Sequence, residues 1–103
     1  MKANVFYVIT KTQIIDPLAR DNAIQLVKKS LPIFRKQSGL ITIHVLISPD
    51  DSHLTTFMIW EDEASHLQCM QSPDFALVNP LWEKLLQQGK IKFTLNTYDK
   101  ITY

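Results

Sequence analysis

The segments LITIHVLI (residues 40–47) and LTTFMIWE (residues 54–61), with SPDDSH (residues 48–53) between them, decide the fold of this chain. Both outer segments are rich in β-branched and aromatic residues, which favour strands, and the middle segment is dense in turn-forming residues. Together they predict two strands joined as an antiparallel hairpin. A hairpin with one face in water alternates apolar with clearly polar side chains, whereas both faces of these two strands are largely apolar.

The members of each face follow from strict alternation of side chains along a strand. In the first strand, one face carries Ile41, Ile43, Val45 and Ile47, and the other carries Leu40, Thr42, His44 and Leu46. In the second strand, one face carries Leu54, Thr56, Met58 and Trp60, and the other carries Thr55, Phe57 and Ile59. Because the helices of so short a chain can cover only one face, we expect a second copy of the sheet to cover the other face in a two-fold homodimer. The alternative is a neutral second face that stays exposed.

The rest of the chain predicts helices and strands on both sides of the hairpin. Strands are predicted over residues 4–12 and 91–101, and helices over residues 17–37, 62–71 and 72–88. Asp16-Pro17 and Ser72-Pro73 are typical of helix starts, and Gly89 is typical of a helix end. Pro32 is expected to kink the first helix, and Pro80 is expected to bend or split the last one.

The predicted order of elements is βαββαβ, which is the order of a ferredoxin-like α+β fold. In that fold a single antiparallel sheet carries its helices on one face. Two such sheets that face each other form a dimeric α+β barrel, and this is the architecture that the sequence predicts.

The amino-acid composition limits the classes of protein to which this chain can belong. The 103 residues are 46% hydrophobic, which supplies the core of one domain over residues 1–103. A net charge of +1 disfavours nucleic-acid binding, and two glycines are too few for a glycine-rich nucleotide loop. The single cysteine, Cys69, excludes an internal disulfide framework and fits a reducing compartment. No segment is apolar over enough residues for a secretion signal or a membrane span, so we expect a cytoplasmic protein without a membrane partner.

Three segments, two of which overlap the hairpin strands, carry a resemblance to a known family. They are FRKQSGLITI (residues 34–43), FMIWEDEA (residues 57–64) and CMQSPDF (residues 69–75). The first resembles a helix end, a glycine and the entry into the second strand; the second resembles a strand ending in W-E; the third resembles an H-x-x-S-x-x-F motif before the last helix. In this order the chain resembles the antibiotic-biosynthesis-monooxygenase-like family of dimeric α+β barrels.

The resemblance implies a homodimer and a reaction without metal or flavin. In that chemistry a small electron-rich aromatic, such as a quinol, is oxygenated because its own carbanion delivers an electron to oxygen. The protein binds, deprotonates and shields the substrate. The residues themselves give no metal-ligand spacing, since three scattered histidines and one cysteine form no paired motif. The alternative is a non-catalytic dimeric ligand-binding or stress-associated module of the same fold.

The chain departs from the haem-degrading branch of the family. That branch carries Trp three residues before the serine that corresponds to Ser72 and His seven residues after it, where this chain has Cys69 and Asn79. It also carries an Asn in the first strand, for which Asn4 is the only candidate and lies too early. These departures argue against haem degradation.

His66 and Asn79 are the predicted catalytic residues. Many family members carry a histidine where Cys69 stands, and His66 lies one helical turn before it on a neighbouring position of the same helix face. A surface histidine is the alternative for His66. Asn79 offers hydrogen bonds to a quinone-like ligand.

Five residues are predicted to contact the substrate: Tyr7, His44, Trp60, Cys69 and Trp82. A tryptophan can stack on a flat substrate, a neutral imidazole can transfer a proton near neutral pH, and a thiol beside a histidine can become a nucleophile. Each has a structural alternative. Tyr7 and the two tryptophans would be packing residues, His44 would be a buried histidine at the dimer seam, and Cys69 would be a small buried hydrophobe.

Overall fold

The structure, a computed structural model, describes residues 5–99 and contains four strands and three α-helices within them. In chain order these are β1 Phe6–Ile14, α1 Arg20–Arg35, β2 Leu40–Ile47, β3 His53–Trp60, α2 Glu63–Met70, α3 Asn79–Gln87 and β4 Ile91–Tyr98. All strand pairs are antiparallel, and the sheet order is β2-β3-β1-β4. The predicted ferredoxin-like α+β fold is therefore confirmed.

The ends of the helices follow from local chemistry. The Asp16 carboxylate accepts a hydrogen bond from the backbone N–H of Leu18 at 3.0 Å, and a single 3-10 turn, Pro17–Ala19, leads into α1. The Asp62 carboxylate accepts from the backbone N–H of Ser65 at 2.8 Å, which caps α2. These caps satisfy N–H groups that a helix start leaves without an intrahelical partner.

The last helical region is divided near Pro80, as predicted, but the predicted helix start at Ser72-Pro73 is wrong, because the Ser72 Oγ accepts from the Phe75 N–H and caps only a 3-10 turn. A 3-10 turn, Phe75–Leu77, stands apart from α3, and Pro80 lies in the first turn of α3. Gly89 has a φ of 69°, a left-handed conformation that glycine adopts without strain, and it follows the end of α3. The predicted first residue of strand one, Asn4, and the predicted end of the last strand at Ile101 lie outside the described residues.

A bulge near the start of β2 changes the predicted faces. Leu40 lies opposite Trp60, but Thr42 lies opposite Ile59, so Ile41 is an extra residue in β2. Leu40 consequently packs on the helix side of the sheet together with Ile43. Strict alternation placed Leu40 with Thr42 and His44, and that assignment is wrong because one inserted residue moves a strand residue to the opposite face.

The core between the helices and the sheet consists of two separate clusters of buried side chains. One cluster contains Ile14, Ala19, Ala23, Leu26, Leu54, Leu85 and Ile91. The other contains Phe6, Val8, Met58, Trp60 and Cys69. No helix among the described residues is long and apolar enough to cross a membrane.

Gly39 lets α2 pack against the turn between α1 and β2. A Cβ atom on Gly39 would lie 2.2 Å from the Ser65 Oγ and 2.3 Å from the Ser65 Cβ, which is too close for any real contact. The backbone carbonyl of Gly39 also accepts a hydrogen bond from the Glu61 N–H at 2.8 Å. A side chain at position 39 would therefore displace α2, which carries His66.

We expect Gly39→Ala to lower the free energy of unfolding by about 1–3 kcal/mol, because the new methyl group overpacks the contact with Ser65. Urea denaturation of single and double variants measures this. In Gly39→Ala/Ser65→Gly the loss should be smaller than the sum of the two single losses, since the clashing Ser65 atoms are gone. Gly89→Ala is the control, because nothing lies within 4 Å of a Cβ there and only its left-handed backbone is strained. Strict additivity of the two changes would contradict the proposed clash.

Candidate functional site

A cavity of about 260 Å³ lies between the helices and the sheet. Its floor is formed by three threonines, Thr10, Thr12 and Thr56, on the helix-facing side of β1 and β3. Thr10 lies directly opposite Thr56 in the sheet, and Thr12 lies opposite Leu54. These small polar side chains stand where larger apolar ones would join the two core clusters, so the core is left open between them.

The inner face of α3 forms one wall of the cavity. Asn79, Trp82, Glu83 and Leu86 all line it, and their spacing of three and four residues places them on one helix face. The Trp82 Nε1 donates to the Ser30 Oγ at 3.3 Å, and the Ser30 Oγ donates to the backbone carbonyl of Leu26 at 2.7 Å. This chain of hydrogen bonds fixes the indole ring against α1.

The mouth of the cavity lies between α3 and β4. Phe93 and Leu95 line the cavity from β4, yet their side chains are 43% and 42% exposed. Glu83 and Leu86 on α3 are exposed on the opposite rim. The helices therefore leave an apolar opening along β4 through which a ligand can enter.

His66 lines the cavity from α2 and is only 5% exposed. Its ring packs edge-on against Trp60, with centroids 5.5 Å apart, and lies 5.7 Å from the ring of Phe6. Its Nε2 is buried and has no hydrogen-bond partner among the described residues. Burial lowers the pKa of His66 below its ordinary value, and the nearby Glu63 carboxylate opposes this shift in part. The imidazole is therefore neutral at neutral pH, and its Nε2 is a buried ring nitrogen without a partner among the described residues.

Trp60 and Cys69 lie behind the cavity wall, where both are fully buried in the second core cluster. Trp60 packs edge-on against Phe34, and its Nε1 is buried without a hydrogen-bond partner among residues 5–99. Burial raises the pKa of the Cys69 thiol to about 11, so the thiolate form is strongly disfavoured at neutral pH.

Tyr7 and His44 lie on the opposite face of the sheet. The Tyr7 ring is 6.4 Å from that of Phe57, and the His44 Nε2 is 3.2 Å from the Thr42 Oγ1. The structure thus brings His66, Asn79 and Trp82 together around the cavity and places Trp60 and Cys69 behind it. Tyr7 and His44 share no surface with these residues within one chain.

Sequence reasoning missed the threonine floor, Ser30 and Glu83. One signal for the floor was available, since Thr56 interrupts an otherwise apolar face between Leu54 and Met58. Glu83 resembles any solvated helix residue in the sequence, and only its place on the same face as Asn79 and Trp82 connects it with the cavity. Within residues 5–99, no group of three or more potential metal-ligating side chains is arranged to hold an ion.

Comparison with solved structures shows that this fold is widespread. The chain is similar to a conserved protein from Methanosarcina mazei, with 25% identity and a TM-score of 0.81 over 97% of this chain and 96% of that chain. It is similar to Rv0793 from Mycobacterium tuberculosis, with 16% identity and a TM-score of 0.82 over 96% and 97% of the two chains. It is also similar to SnoaB, a cofactor-independent oxygenase from Streptomyces nogalater, with 13% identity and a TM-score of 0.72 over 98% and 97%. No curated protein sequence matches the chain.

Fold and cavity together define a ferredoxin-like α+β protein that encloses a largely apolar site between its helices and its sheet. A family model then specifies the relationship, since the model for antibiotic biosynthesis monooxygenases matches residues 5–79. The chain belongs to this family.

Burial of His66 makes stability depend on pH in a defined direction. The unfolded chain takes up a proton on this histidine near pH ~6.5, whereas the folded chain takes it up only at lower pH. Between these two values the unfolded state binds more protons, so stability falls as pH falls, by up to about 1.4 kcal/mol per pH unit. Below the lowered native pKa both states are protonated, so the contribution of His66 to the free energy of unfolding no longer changes with pH.

We expect His66→Phe to weaken this pH dependence, because phenylalanine fills the same aromatic environment without a titrating group. Urea denaturation of both proteins between about pH 5 and pH 7.5 measures the difference, since other groups contribute equally to both. Leu67→Phe, which adds the same side chain at an exposed position of α2 and removes no titrating group, is the control and should retain the wild-type dependence. Identical pH profiles for wild type and His66→Phe would show that the native pKa is not lowered.

Proposed function

We propose that this protein is a cofactor-independent monooxygenase that oxygenates a small aromatic, quinol-type substrate in the cavity. The observation that carries the proposal is the neutral imidazole of His66, which lines a cavity with largely apolar walls and whose buried Nε2 has no hydrogen-bond partner among the described residues. Membership of the antibiotic biosynthesis monooxygenase family supports the reaction class. The similarity to SnoaB supports a fold able to host it.

In the proposed reaction His66 acts as the general base. It accepts a proton from the bound substrate, and the resulting carbanion transfers an electron to dioxygen within the same cavity. A carbon–oxygen bond then forms. In the overall balance for a quinol, one ring C–H becomes C–OH and the ring becomes a quinone; one oxygen atom of O₂ enters the product, and the other leaves as water with the two hydrogen atoms that the substrate loses.

Three other residues have proposed roles around His66. Asn79 bonds to a substrate oxygen at the mouth of the cavity, and Trp82, held by Ser30, offers its indole to the flat ring. Trp60 contacts the His66 ring and acts as a positioning residue behind it. The apolar walls limit access of water to the carbanion.

A second copy of this chain is the proposed partner on the open face of the sheet. That face carries half-buried Tyr7, Ile9, Phe57 and Ile59 near its centre, while all three described helices lie on the other face. Leu46 and Tyr98 extend this surface and are 61% and 48% exposed. Two such faces packed together would bury these apolar side chains, and Tyr7 and His44 would then lie at the seam.

A non-catalytic ligand-binding module is the second candidate function. It is favoured by one observation: the buried His66 Nε2 has no hydrogen-bond partner among the described residues, whereas a general base is usually oriented by a third group. In this case the cavity would bind an aromatic ligand without turning it over.

We expect purified protein to consume oxygen with a quinol or anthrone, and His66→Gln to reduce the rate about 10²–10⁴-fold because the base is lost. An oxygen electrode measures uptake, and the rate should fall only below pH ~6.5, since burial lowers the pKa of His66 from its ordinary value. His53→Gln, at the exposed first residue of β3, is the control and should keep full activity. Ligand binding without uptake in a folded protein would favour the second candidate, and full activity in His66→Gln would remove His66 from the reaction.

We expect the wild-type chain to sediment as a dimer at micromolar concentration and Phe57→Lys to sediment as a monomer, because a buried, unpaired ammonium at the sheet face opposes packing. Analytical ultracentrifugation distinguishes the two. Leu77→Lys introduces the same charge at a residue that is 71% exposed on the helix side, and it should leave the dimer intact. A monomeric wild type would refute the proposed pairing.

A further inference from the structure

We propose that Glu83 makes the mouth of the cavity selective for a neutral ligand that donates a hydrogen bond, and that it does so by fixing the amide of Asn79. This selectivity rests on the proposed ligand cavity and names the class of molecule that enters it: a small fused-ring aromatic with a free hydroxyl group. The matching ether and the matching carboxylate would be disfavoured for two different reasons.

The first reason is the direction of the hydrogen bond between Asn79 and Glu83. Both residues line the cavity, and the Asn79 Nδ2 donates to the Glu83 Oε1 at 3.3 Å. A carboxylate can only accept, so the amide nitrogen must face Glu83. The Asn79 Oδ1 has no partner among the described residues and is the group that remains for a ligand. An oxygen atom can accept a bond from a hydroxyl but offers nothing to an ether or a carbonyl.

The second reason is the charge around the cavity. Among the described residues that line it, Glu83 is the only one that carries a charge at neutral pH, since none is a lysine or an arginine and His66 is neutral. Asn79 is the first residue of α3, and a helix N-terminus favours negative charge. The Glu83 carboxylate, one turn further on, opposes this preference. A carboxylate ligand would therefore meet a like charge and no counter-ion.

The size of the cavity limits the size of the ligand that it can hold. Its volume of about 260 Å³ lies just below the ~300–1,000 Å³ of drug-sized ligand pockets. Its polar groups are few, while Phe34, Phe75 and Phe93 supply aromatic surface. A bicyclic aromatic with one or two hydroxyl groups suits this space better than a larger polycyclic molecule.

Three naphthalene probes separate the effect of the hydrogen bond from the effect of charge: 2-naphthol, 2-methoxynaphthalene and 2-naphthoate. They share one ring system, and near neutral pH only the first is both neutral and a hydrogen-bond donor. Calorimetric titration gives the Kd of each. We expect wild-type protein to bind 2-naphthol about tenfold more tightly than 2-methoxynaphthalene, the value of one hydrogen bond, and to bind 2-naphthoate weakest.

Two variants test the residues. In Glu83→Gln the new amide can donate as well as accept, so Asn79 is free to turn its nitrogen toward the ligand. The preference for 2-naphthol over the ether should then fall to near one, and 2-naphthoate should gain about tenfold. Asn79→Leu should also lose the preference for 2-naphthol, because the accepting oxygen is absent. Asp21→Asn removes one exposed carboxylate from α1, away from the cavity, and should leave all three Kd values unchanged.

Equal binding of 2-naphthol and its ether to the wild type, or an unchanged preference in Glu83→Gln, would overturn the selectivity. If no probe binds at all, both the selectivity and the ligand-binding cavity are wrong. Binding of 2-naphthol with the expected preference but without oxygen uptake from any quinol would support the selectivity and count only against the oxygenase. The two proposals therefore fail in distinguishable ways.

Discussion

The pairing of Thr10 with Thr56 on the helix side of the sheet is the constraint on which the rest of the structure depends. At these positions a leucine or isoleucine would join the two core clusters into one, as in a domain built for stability alone. Threonine is smaller than leucine or isoleucine, so it leaves the space beneath the helices unfilled, and a cavity remains. The stability that a continuous core would supply is absent there, and space for a ligand is present instead.

A second loss of stability beside the cavity comes from two buried ring nitrogens, one on a residue that lines the cavity and one on a residue behind its wall. The Trp60 Nε1 and the His66 Nε2 are both buried without a protein partner among residues 5–99. Unsatisfied polar atoms inside a protein are costly, by about 1–3 kcal/mol each, and a fold without a role for them would replace them by apolar groups. Their proximity within one aromatic cluster, beside a cavity, fits a region adapted to chemistry or binding rather than to packing.

Most of the fold could be predicted from the sequence, because its signals are local. Asp16-Pro17 and Gly89 mark the start of the first helical region and the end of the last one through cap and backbone chemistry, as predicted, whereas Pro80, predicted inside a longer helix, lies in the first turn of α3. The bulge at Ile41 could not be predicted, since it depends on pairing with β3 and leaves no mark in the composition of β2.

The candidate site was harder to predict, because alternation separates two faces of a strand without saying which one the helices cover. Tyr7 and His44 were for this reason grouped with residues that lie on the other side of the sheet. His66 and Asn79 came from the family resemblance, and the structure places both at the cavity. Glu83 is an ordinary exposed residue until the fold brings its helix face to the mouth.

The position of Phe93 and Leu95 on β4 bears on how this site can change in evolution. They alternate with Thr94 and Asn96, which face the other side of the sheet, and β4 is an edge strand held on one side only, by β1. Inserting or deleting one residue in β4 would exchange the two sets, so that the rim of the cavity became polar and the opposite face gained the phenylalanine and the leucine. Point substitutions at alternate positions of β4 therefore alter the rim of the cavity alone, whereas a change in the length of the strand alters both faces of the sheet at once.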